Sequence, residues 1–154
     1  MIEAVALAPA GPGDATAIAR MTRLWIEAGL PPRWSRDAHL RCIHDPDTEV
    51  VLARSRSAVA GFASMEFQFE QCHAHLLLLA VDPRLRRSGL GRALFDYLFV
   101  MARRGGIDLI QLEVRVSNPG AKLFYEALGF RETERLPLYY AEREDAVRMA
   151  LEVG

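Results

Sequence analysis

The chain has little that would set it in a membrane or against a polyanion. None of its 154 residues belongs to an apolar run of membrane-crossing length, which excludes a helical span. Its 19 basic and 20 acidic side chains leave a formal net charge of -1. That balance excludes a whole-molecule attraction to nucleic acid or an anionic membrane, so any anion site must be local.

Cysteine is scarce. Cys42 and Cys72 stand far apart with no C-x-x-C pattern, which leaves reduced thiols or a disulfide as their readings. The opening "MIEAVALAPA" has no basic n-region and carries Glu3, so no export signal is read there. Reduced core thiols in the cytoplasm are the expectation. The histidines His39, His44, His73 and His75 form no H-E-x-x-H pattern. A strand through "CHAH" puts His73 and His75 on one face with no acidic partner nearby, so no metal site is expected. Repeats, low-complexity tracts and linkers are also missing, and residues 1–154 read as a single domain.

What remains is a globular balance, 51% hydrophobic and 25% charged, with clear periodicities. A first strand, Ile2 to Leu7, leads through the "PAGPG" loop to a helix capped by Asp14. In that helix Ile18, Met21, Trp25 and Ala28 recur at helical spacing, and Gly29 ends it. After the turn "LPPRWS", Ser35 caps a second helix running to about His44. "EVVLARS" and "AVAGFASMEFQFE" read as strands joined at Arg56-Ser57, and "HAHLLLLAV" as a third strand ending at Val81. Its four leucines suggest burial on both faces. A helix from Gly89 to Arg104 follows, with Leu90, Ala93, Leu94, Tyr97, Leu98 and Met101 on one face. In "DLIQLEVRV", Ile110, Leu112, Val114 and Val116 alternate with Gln111, Glu113 and Arg115. "SNPGAKLFYEALGF" is a short helix with Asn118 as cap, Pro119 in the first turn and Gly129 past the end. Two strands, near Arg131 to Leu136 and over "AVRMALEV", close the chain. The expected fold is α/β, a mixed central sheet of about six to seven strands flanked by about four helices.

The stretch "RRSGLGR" lies between a buried strand and a helix start, where unpaired backbone N–H groups and the positive helix end converge. Gly89 and Gly91 let a phosphate approach the backbone closely. Arg86, Arg87 and Arg92 add charge-assisted donors, a chemistry that suits a pyrophosphate. Without G-K-[ST] it is not a nucleoside-triphosphate loop. The dinucleotide fingerprint needs a third glycine where Leu94 stands. A plain basic helix start stays open on this stretch alone.

Residues 81 to 94, V-D-P-x-x-R-R-S-G-L-G-R-A-L, resemble the acyl-CoA signature R/Q-x-x-G-x-G/A of the GNAT superfamily of N-acetyltransferases. "LEVRVSNPGAKLFYEALGF", residues 112 to 130, resembles the L-E-V-R-x-S-N-x-x-A-x-x-L-Y-x-x-x-G-F segment of its ribosomal-protein-alanine N-acetyltransferase branch. "LYYAEREDAVRMALEV" is similar to that branch's closing segment, and "PPRWS" to its P-W-S turn. The resemblance implies acetyl-CoA as cosubstrate, no metal, and an amine acceptor, with a protein N-terminus first among the choices.

It also implies roles. Arg86, Arg87, Ser88, Gly89, Leu90, Gly91 and Arg92 would hold the diphosphate. The backbone of Leu79, Ala80 and Val81 would pair with the pantetheine amides like an added strand. Asn118 and Ala121 would lie along the pantetheine arm. Glu113 is the base candidate; a carboxylate at ~4.3 is far from an amine, so a water relay is more plausible than direct abstraction. Its other reading is a surface carboxylate paired with Arg115 or a neighbouring strand. Tyr125 would give a proton to the leaving thiolate; its other reading is a core tyrosine. Tyr139 and Tyr140 would wall the acceptor site, or pack across strands. A small-amine acetyltransferase and a non-catalytic acyl-CoA-binding module are the alternative functions.

Overall fold

The computed structural model describes residues 4–56 and 58–154. Its strands and helices follow in the order β1 (Ala6–Pro9), α1 (Ala15–Met21), α2 (Arg36–His44), β2 (Thr48–Arg54), β3 (Val59–Gln68), β4 (His73–Val81), α3 (Leu90–Arg104), β5 (Leu109–Arg115), α4 (Pro119–Ala127), β6 (Arg131–Tyr140) and β7 (Glu144–Glu152). This is the expected order. The seven strands form one mixed sheet, β1-β2-β3-β4-β5-β7-β6, in which β4 and β5 are parallel and β5, β7 and β6 antiparallel. Among the described residues no helix is long and apolar enough to cross a membrane.

The chain forms two compact units. Of the described residues, those up to 66 and 76–101 make the first; residues 67–75 and 102–154 make the second. The first unit is built on Ile18, Met21, Val50, Leu52, Phe62, Leu78 and Ala80. Phe62 and His39 meet edge-to-face at 5.7 Å, and Trp34 stacks on the same imidazole at 5.2 Å. In this apolar setting burial pushes the His39 pKa down to about 4, because a charged ring there would be desolvated.

Several expectations need correction. The first strand begins at Ala6 and runs to Pro9; Ile2 lies outside the described residues, as does Ser57 of the β2–β3 joint. Asp14 stands at the start of α1, but its side chain makes no cap there. It accepts the Gly11 N–H at 2.8 Å and pairs with Arg54 instead. The first helix also changes period. After Met21 the backbone widens into a π-helical turn, Thr22–Ile26. The Thr22 hydroxyl donates to Ile18 O at 2.8 Å and meets His39 Nε2 at 3.0 Å, a local side-chain bond of the kind that disturbs a helix. Thr22 and Glu27 are therefore buried, Trp25 is half-buried, and Ala28 faces solvent.

β4 is not buried on both faces. Leu76 and Leu78 are buried while Leu77 and Leu79 are half-buried, the ordinary alternation of a strand. On α3 the buried residues include Phe95 beside Leu94 and Leu98, while Leu90, Ala93, Tyr97 and Met101 are half-buried. Val116 lies past the end of β5 and is exposed. The cysteines are free, as expected, but half-exposed rather than core.

Candidate active site

β5 sets the second unit's chemistry. Ile110, Leu112 and Val114 are buried on one face, so Gln111, Glu113 and Arg115 point to the other. The Glu113 side chain is only 7% exposed. Its Oε1 lies 2.7 Å from His75 Nε2 and accepts the Tyr139 hydroxyl at 3.3 Å. Its Oε2 accepts Arg148 Nε at 3.1 Å. Burial works to raise this carboxyl's pKa, but the hydrogen bonds and charges of His75 and Arg148 outweigh it and hold Glu113 below its ordinary value. The group is an anchored anion.

Of the two partners that its other reading named for Glu113, Arg115 pairs with Glu144 at 2.8 Å, and the neighbouring strand supplies the cation through Arg148. His75 does have an acidic partner, contrary to expectation. Strand β5 supplies it, and 38 positions of separation hid the pair. Among the described residues no group of three or more His, Cys, Asp or Glu is arranged to hold a metal ion. Only their shared polar faces on adjacent strands hinted at the His75, Glu113 and Arg148 cluster.

α4 begins as read. Asn118 Oδ1 accepts the Ala121 N–H at 3.1 Å, Pro119 opens the helix, and Gly129 follows its end with φ +105°. This brings Tyr125 into an aromatic setting, edge-on to Phe124 at 5.1 Å and Phe130 at 5.7 Å. Burial drives its phenol pKa upward, so the proton stays on. Tyr140 is raised as well, by burial first and then by the nearby Glu113 charge.

β6 runs four residues past its expected end at Leu136. Between Leu136 and Tyr140 its register against β7 shifts: Leu136 faces Ala146, and Tyr140 faces Glu144. The extra residues form a bulge at Pro137, Leu138 and Tyr139, and Asp145 Oδ1 accepts the Leu138 N–H at 2.8 Å. The bulge re-aims Tyr139 to Glu113. Tyr139 also meets its chain neighbour Tyr140 edge-on at 5.0 Å, a contact within β6 and not across strands.

The first unit carries the glycine loop. Asp82 closes β4, accepting the Arg84 N–H at 2.9 Å and its guanidinium at 2.8 Å; those bonds hold the Asp82 carboxyl below its usual range. Arg86, Arg87, Ser88 and Gly89 are exposed. Arg87 (φ +66°) and Gly89 (φ +88°) are left-handed, and a Cβ built on Gly89 would meet nothing within 4 Å. The first helical bond at this end is Ala93 N–H to Gly89 O, 3.0 Å. The N–H groups of Gly91 and Arg92 therefore have no carbonyl behind them in the helix. Open backbone donors beside exposed guanidinium groups fit a phosphate ester. Arg92 pairs only loosely with Asp96, at 3.9 Å.

The β4 end, Leu79-Ala80-Val81, owes its position to a residue the sequence reading passed over. A Cβ on Gly61 of β3 would lie 2.6 Å from Ala80 O and 3.3 Å from Val81 Cα. The strands approach this closely only because Gly61 has no side chain. The Asp82 N–H then donates to Ala60 O at 2.8 Å.

Residues 17–130 match the model of the Acetyltransferase (GNAT) family. The chain belongs to that family. Among GNAT relatives it is 41% identical over 99 residues to the [ribosomal protein bS18]-alanine N-acetyltransferase of Escherichia coli strain K12, covering 62% of this chain and 66% of that one. The match thus spans just under two thirds of that curated relative. The crystal structure of the ribosomal-protein-S18-alanine N-acetyltransferase from Escherichia coli superposes with a TM-score of 0.84 at 29% identity, covering 98% of this chain and 95% of that one. Ard1 from Thermoplasma volcanium gives a TM-score of 0.86 at 27% identity, with 98% and 99% covered. The family resemblance of the glycine loop and the β5–α4 segment is borne out, and the mixed sheet is the GNAT fold.

Proposed function

We propose that the protein is an acetyl-CoA-dependent N-acetyltransferase whose acceptor is a primary amine, in particular the α-amine of a protein or peptide N-terminus. The observation that carries this reading is the anchored Glu113 anion joined to His75, whose side chain is 36% exposed. A buried carboxylate with an accessible imidazole partner can draw a proton from an amine and spread the resulting charge. A module that only binds acyl-CoA has no use for such a pair. Likeness to an enzyme named for an alanine acceptor on a ribosomal protein favours a peptide over a small amine. An α-amine near ~8 also loses its proton far more readily than a lysine near ~10.4.

The thioester supplies an acyl group that is already activated, so no covalent enzyme intermediate is required. Arg86, Arg87 and Arg92, with the open amides around Gly89 and Gly91, hold the diphosphate. The Leu79–Val81 backbone pairs with the pantetheine amides, and Asn118 and Ala121 lie along the arm. Glu113 is the base, acting through water and His75 rather than by direct contact. Tyr125 keeps its proton in its aromatic setting and gives it to the departing thiolate. Tyr139 and Tyr140 form a wall of the acceptor site.

The test is incubation with acetyl-CoA and a panel of alanine-starting peptides, polyamines and amino acids, following thiol release and product mass. Acetylated peptide α-amines are the expected product. Modification of a small amine with the peptides left untouched overturns the acceptor, and no transfer to any amine overturns the reading.

A further inference from the structure

Three charged side chains stand in one row across the second unit's strands. Glu113 on β5 is directly opposite Arg148 on β7, and Arg148 is directly opposite Glu134 on β6. Arg148 Nε reaches Glu113 Oε2 at 3.1 Å, and its Nη1 reaches Glu134 Oε1 at 2.6 Å. The row depends on an irregularity. Glu132 faces Met149, yet Glu134, not Thr133, faces Arg148. In an unbroken ladder Thr133 would oppose Arg148, and Glu134 would fall on the other face. The fold thus spends a bulge on giving Arg148 a second carboxylate.

We propose that Arg148 is a positioning residue for the acyl transfer: anchored by Glu134, it occupies Oε2 of Glu113 and so reserves Oε1 for His75. The inference rests on the acetyltransferase reading for its kinetic meaning, but its electrostatic part stands alone. The titratable and charged groups facing Glu113 are His75 from β4, Tyr139, Tyr140 and Glu134 from β6, and Arg148 from β7; Arg115, on β5 itself, pairs with Glu144. Arg148 is therefore the cation on Oε2. Taking it away leaves a mostly buried carboxylate oxygen without its charge partner, which favours protonation. A protonated Glu113 no longer draws His75 or accepts charge from it.

Two measurements on Arg148→Met test this. A carbon-13 titration of the Glu113 carboxyl, assigned with Glu113→Gln, should move to higher pH by roughly one unit or more when the guanidinium is lost. The lower acid break of the kcat/KM profile, below the break set by the amine's own ionisation, should move up with it, so that the deficit is large in acid and closes toward alkaline pH. Arg148→Lys, which keeps the charge, should bring that lower break back toward wild type. A merely structural role would lower activity in parallel at every pH. An unmoved carboxyl titration overturns the proposal whether or not the protein acetylates anything. A moved titration with an unmoved lower break overturns its link to catalysis. Absence of transfer in wild type, with the titration shifted, counts against the acetyltransferase reading alone.

Discussion

His75 Nε2 and Glu113 Oε1 lie 2.7 Å apart across the parallel β4–β5 pair. The imidazole is open to solvent at 36% of its side chain and the carboxylate is closed at 7%. An exposed ring backed by a buried anion is the arrangement that lets a proton arrive from outside while the charge is balanced within.

Glu113→Gln should therefore lower kcat by about 100-fold or more, the scale of one lost acid–base group, with acetyl-CoA affinity little changed. Tyr125→Phe should behave in the same way. Steady-state kinetics beside calorimetric titration of acetyl-CoA separates the two effects; wild-type turnover in both variants removes the assigned roles.

Arg87→Ala should do the reverse. Losing one charge-assisted bond to a phosphate costs about 1.5–3 kcal/mol, so acetyl-CoA should bind roughly ten-fold or more weakly while kcat at saturation holds. Equal affinity in wild type and variant would count against the loop as a diphosphate site.

Gly61→Ala should destabilise the fold, because the added methyl meets backbone at 2.6 Å and not a side chain that could swing away. Overpacking of this kind costs about 1–3 kcal/mol. Urea denaturation reads it directly, and a variant as stable as wild type would show that β3 and β4 can part without penalty.

Acid should weaken the protein through His39. Its folded pKa of about 4 lies below the ordinary histidine value of 6.5, so the unfolded chain binds the proton more tightly. The stability tied to the neutral ring is complete above about pH 6.5 and is lost as the pH falls toward 4, up to about 3 kcal/mol in all. His39→Gln should flatten the dependence of Tm on pH in that window. A slope equal to that of wild type would remove His39 as its source.

Much of the fold could be read from residue order because its signals are local. Ser35 and Asn118 cap the helices expected of them, accepting from Ala38 and Ala121, and β5 alternates as its sequence does. The misreadings have non-local causes. The π-helical turn at Thr22 involves a bond to His39, 17 residues on. Gly61 looks unremarkable until the carbonyl of Ala80 is placed against it. Glu113 could be picked out by its face of β5, but His75 and Arg148 reach it from other strands, and pairing across a sheet leaves no trace in sequence spacing. Asp14 is no cap because Arg54, 40 residues on, draws its carboxylate away, with the nearby Gly11 N–H beside it.

The two irregularities in β6 have a consequence for how the chain can vary. One sits between Glu132 and Glu134 and the other between Leu136 and Tyr140. The second lies beyond Leu136, after the strand has already set Glu134 opposite Arg148. The charged row therefore takes its register from the first irregularity, while the second places the Tyr139 hydroxyl on Glu113. The closing hairpin sets the charges and the aromatic neighbour of one carboxylate by two separate local devices.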